Sequence, residues 1–108
     1  MQFTDQEKIA ILSLLIEMAN ADRQIAYEEM ITINLICQKM EIDHSSFVVA
    51  YDLKCEHAIE VLKNMDDDKK LHLAKMMVEI IDSDNNVDDS EIALLNHACH
   101  KIGIDTLL

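Results

Sequence analysis

The feature that most restricts this chain is that it repeats its own chemistry at a fixed offset of 62 positions. Asp5 pairs with Asp67, Lys8 with Lys70, Glu17 with Glu79, Asp22 with Asp84 and Glu29 with Glu91. The same offset joins Asn34 to Asn96, Cys37 to Cys99, Lys39 to Lys101 and Ile42 to Ile104. Apolar positions follow suit, as in Ile9 and Leu71, Ile11 and Leu73, Ile16 and Val78, Ile25 and Val87. Any one match is coincidence, but the set is not; self-similarity at one period marks a structural unit used twice. The expected organisation is a single domain over 1–108, with related units at 4–43 and 66–105.

Each unit reads as helix, loop, helix. The 108 residues contain one glycine and no proline, so the turn punctuation that strands need is missing. Thr4-x-x-Glu7 is a capping box that starts a first helix over about 4–20. That helix is apolar on nearly every side, from Ile9 to Ala19, and so is expected at the centre. A second helix over about 27–40 carries Met30, Ile33, Leu35, Ile36 and Met40 as its apolar face. Asp43 caps a short helix through Tyr51, and another covers about 56–64. The acidic run Asp66-Asp67-Asp68 favours a helix start by its charge. The helix that follows, with Leu71, Leu73, Met76, Met77, Val78, Ile80 and Ile81, is expected to pack against the first in the core. A last helix runs over about 89–102, with Gly103 as its stop. The class is all-α, a helical bundle of two helix–loop–helix units joined by short middle helices.

The formal charge of −12 argues against nucleic acid, whose phosphates need clustered Lys and Arg. It also disfavours anionic membrane surfaces, and favours cations or a basic protein partner. The three cysteines, Cys37, Cys55 and Cys99, form no Cys-x-x-Cys pair, so a disulfide framework is not expected. Residues 1–7 lack the basic start and apolar run of a signal peptide. The apolar runs are broken by Glu17 and Glu79 and are too short to insert into a bilayer. A cytoplasmic location is expected.

The chemistry is concentrated between the helices of each unit. The second loop holds five carboxylates in the ten residues from Asp82 to Glu91. The first reads Ala21-Asp22-Arg23-Gln24-Ile25-Ala26-Tyr27-Glu28-Glu29, and the second repeats it as Ser83-Asp84-Asn85-Asn86-Val87-Asp88-Asp89-Ser90-Glu91. This resembles the Ala-Asp-Gly-x-Ile-x-x-x-Glu signature of the TerB-like domain family, named from bacterial tellurite-resistance proteins. The family's glycine is Arg23 in one copy and Asn85 in the other. The resemblance implies a helical bundle, a stress-response or membrane-associated signalling setting, and a metal site at the acidic positions. An EF-hand is rejected: with Asp82, Asp84 and Glu91 at loop positions 3, 5 and 12, position 1 is Ile80 and position 6 is Asn85.

Two expectations remain for these loops. Asp82, Asp84, Asp88 and Glu91 bind a hard divalent cation (Ca²⁺, Mn²⁺ or Mg²⁺) weakly, with Asp22 and Glu29 as a lesser counterpart. Alternatively, the repeated Asp and Glu only cap the turn and the next helix. His97, Cys99 and His100 suggest zinc, but no fourth ligand is identifiable. The expected function is a non-enzymatic binding or scaffold module that shows an acidic surface to a protein partner. The alternatives are a metal-dependent hydrolase using the carboxylates and a structural domain that forms a homodimer.

Overall fold

The computed structural model describes residues 3–20, 27–82, 89–105 and 107, the side chains of residues 27–29, 44 and 55 excepted. Among the described residues the chain is all-α. Its helices are α1 (Asp5–Ala19), α2 (Tyr27–Lys39), α3 (His44–Asp52), α4 (Cys55–Lys63), α5 (Asp67–Asp82) and α6 (Asp89–Ile102). The starts of α1 and α5, and those of α2 and α6, are each 62 positions apart.

Local chemistry explains the helix ends. Thr4 Oγ1 accepts from the Glu7 N–H at 3.1 Å, and the Thr4 N–H donates to Glu7 Oε1 at 2.8 Å, closing the capping box. Asp66, 62 positions on, caps α5 by accepting from the Lys69 N–H at 2.9 Å. Asp43 caps α3 through the Ser46 N–H at 2.8 Å. At the far end of α2 the Ile42 N–H reaches Cys37 O at 2.9 Å and the Glu41 N–H reaches Gln38 O at 3.2 Å. This is a Schellman stop, with Glu41 held at φ 58°. In the second unit Gly103 takes the equivalent place at φ 91°, and the Ile104 N–H reaches Cys99 O at 2.8 Å.

Helix α1 is the hub and packs against all five others. Ile11, Leu12, Leu14, Leu15 and Met18 are wholly buried on it. Ile33, Leu62, Leu73, Met77, Ile80 and Ile102 close the core around them. Each such side chain contributes about 1.5–3 kcal/mol by leaving water.

Helix α5 packs against α1 as expected, but it is less enclosed than α1. Its contacts are with α1, α2 and α6, whereas α3 and α4 pack over α1. Ser13 Oγ on α1 donates to Leu53 O, at the α3–α4 junction, at 3.3 Å. Position 75, the counterpart of Ser13, is an exposed lysine. Ile16 is 7% exposed and its counterpart Val78 is 46% exposed; Leu71 is 39% exposed. Leu35, expected inward on α2, is also exposed. An apolar side chain is buried only if another element arrives to cover it, and the chain supplies one cover for two similar helices.

The first turns of α1 and α5 meet directly. Lys69 Nζ lies 2.7 Å from Glu7 Oε1, with both side chains largely buried. These two residues are themselves 62 positions apart. Lys69 also sits 5.8 Å from the centre of the Phe3 ring. Burial works against the Glu7 charge, but the hydrogen bond and charge of Lys69 and the Thr4 backbone outweigh it. The carboxyl is therefore held below its ordinary range.

Candidate functional site

Of the residues expected to hold a cation, Asp22, Asp84 and Asp88 lie outside the described residues, as does the Glu29 side chain. Asp82 and Glu91 are described, and they differ sharply. Asp82 is the exposed last residue of α5. Glu91 is in the first turn of α6 and only 1% exposed. A carboxylate there is favoured by the helix dipole. Its burial would be costly without compensating polar contacts. Among the described residues no group of three or more His, Cys, Asp or Glu side chains is placed to hold a metal ion.

The residues that suggested zinc point different ways. Cys99 is half-buried and packs against the core, whereas His97 and His100 are exposed. His100 Nδ1 lies 3.1 Å from Asp105 Oδ2. Burial pushes the Cys37 thiol above its ordinary value; burial and then the charge of Asp105 do the same for Cys99. Both shifts favour the thiol over the thiolate, which is the reactive and metal-binding form.

The surface that sequence reasoning missed is the outer face of α5. Leu71, Ala74 and Val78 recur at helical spacing and line a shallow groove of about 810 Å³ with Thr32 of α2. Lys75, Glu79 and Asp82 border it. On α1 the corresponding positions are Ile9, Leu12 and Ile16, and the last two are buried. The signal that could have found it lay in the linker. Two short helices suffice to cover one of the two apolar helices.

Among the described residues no helix is long and apolar enough to cross a membrane. No family model matches the sequence, and no match is found among curated proteins. Among solved structures, the chain is similar to the crystal structure of a protein of unknown function from Porphyromonas gingivalis W83. The TM-score is 0.80 at 24% identity, over 95% of this chain and 86% of the other. That likeness concerns the fold alone.

Proposed function

We propose that the protein is a non-enzymatic binding module of the TerB-like type that receives a basic amphipathic helix on the open face of α5. The observation that carries this is the contrast between two helices of one pattern. The α3–α4 pair covers α1, and Leu71 and Val78, at equivalent positions of α5, face solvent. A helical partner laid along Leu71, Ala74 and Val78 would supply the missing cover, as amphipathic helices do in apolar grooves. Glu79 and Asp82 outnumber Lys75 at the border, which on a chain of −12 favours basic residues at the partner's edges.

The same module holds a divalent cation weakly. Asp82, Asp84, Asp88 and Glu91 are the donors, and Asp22 and Glu29 form a lesser counterpart. Carboxylate oxygens suit Ca²⁺, Mn²⁺ and Mg²⁺. The cytoplasm is the proposed setting.

The helix site is tested by amide-shift titration with a Leu/Lys amphipathic helical peptide. A peptide of equal composition, scrambled so that its leucines share no face, is the control. Shifts should follow α5 and the facing side of α2, and Val78→Lys should abolish them. Equal binding of the scrambled peptide would reduce the site to bulk charge and end the proposal. A dimer in light scattering that Val78→Lys dissociates would make a second copy the occupant instead. For the cation, calorimetry with Ca²⁺, Mn²⁺ and Mg²⁺ should show heat that Asp84→Asn removes; no heat with any of them refutes it.

A further inference from the structure

A second, deeper recess lies beside the α5 groove. It is a cavity of about 530 Å³ where the start of α1, the end of α2 and the middle of α5 meet. That is within the range of small-molecule pockets. Ile36, Met40 and Met76 give it an apolar wall, and Lys8, Lys39 and Lys75 line it, one from each helix. Three of the nine basic residues of a chain carrying −12 thus share one cavity.

The lysines do not neutralise the local carboxylates in place. Glu41 and Glu79 also line the cavity, leaving a formal surplus of one positive charge. Among the described residues the recorded ion pairs are Glu7–Lys69 and His100–Asp105, so none of the three cavity lysines is in one.

We propose that this cavity binds a small organic anion with an oxyanion head, carboxylate or phosphate, and an apolar body. The head takes charge-assisted hydrogen bonds from Lys8, Lys39 and Lys75. The body lies on Ile36, Met40 and Met76, where two flexible thioethers adapt to its shape. The site adjoins the helix-binding face and shares Lys75 and Glu79 with it, while Lys8 and Lys39 lie outside the α5 groove.

The test is titration of the full chain with octanoate, octyl phosphate, octanol and octylamine, followed by calorimetry and amide shifts. At least one anion should bind about tenfold more tightly than octanol and octylamine, shifting the Ile36 and Met76 amides; the tighter anion identifies the head. Lys8→Gln and Lys39→Met should each weaken binding about tenfold, one charge-assisted contact's worth. Lys39 is exposed, so its variant keeps the fold. Val78→Lys should leave anion binding intact while removing the peptide site, so the two proposals fail separately. Octanol or octylamine binding as tightly as either anion, no anion binding, or unchanged affinity in both lysine variants overturns the proposal.

Discussion

Replacing Glu41 by glycine should stabilise the protein, although it removes a side chain and adds nothing. Glu41 ends α2 at φ 58°, where an L-residue suffers a clash of its Cβ worth about 1–2 kcal/mol. Glycine escapes that clash but loses more backbone freedom on folding, about 0.5–1 kcal/mol. The net gain for Glu41→Gly is therefore about 0.5–1 kcal/mol. The reverse holds at Gly103, at φ 91°, where an added Cβ would meet only Lys70 Nζ at an ordinary 3.7 Å. Gly103→Ala should thus cost about 0.5–1 kcal/mol through its backbone alone. Urea unfolding followed by circular dichroism measures both, with unchanged slope showing that stability alone has changed. Glu41→Ala is the decisive control. It keeps the strained backbone and removes only a carboxylate from a helix C-terminus, where negative charge is unfavourable by a few tenths of a kcal/mol. If Glu41→Ala stabilises as much as Glu41→Gly, the effect is electrostatic and the backbone reasoning is wrong.

Three further outcomes are expected. Val78→Lys should change stability by no more than about 0.5 kcal/mol. Its counterpart Ile16→Lys should cost more than about 3 kcal/mol or prevent folding, because it buries a charge beneath a covered face; denaturation of the two separates open from closed. Glu7 has a lowered carboxyl pKa, so its stabilisation is present above the unfolded value of about 4.3. It is lost as pH falls through the folded value, so the stability gap between wild type and Glu7→Gln should close in acid. Cys37 and Cys99 have raised thiol pKa values. They should react with a disulfide reagent more slowly than a free thiol at neutral pH and accelerate as pH rises, which absorbance kinetics on single-cysteine variants would read.

The helices were legible because their signals are local. Thr4 and Glu7, Asp43, and the Asp66–Asp68 run act on backbone groups within one turn, and the caps form where they stand. The open face of α5 was not legible, since Leu71 and Val78 have the same periodicity as Ile9 and Ile16. Periodicity shows which side of a helix is apolar and is silent on what lies over it. The lysine cavity was hidden for a related reason: Lys8, Lys39 and Lys75 come from three helices and are neighbours only after packing. The left-handed stop at Glu41 escaped notice because glutamate lacks the conformational signature that made Gly103 easy to read.

The Glu7–Lys69 contact bears on how the two units recognise each other. When two equivalent units face one another about a two-fold axis, a residue near that axis meets its own counterpart. Two copies of the first unit would set Glu7 against Glu7, and two of the second would set Lys69 against Lys69. Only the mixed pair attracts, and it does so largely shielded from water, where like charges are most costly. The contact acts as a matching rule written in one acid and one base. It favours each half closing on the other half of its own chain and disfavours assembly of like with like.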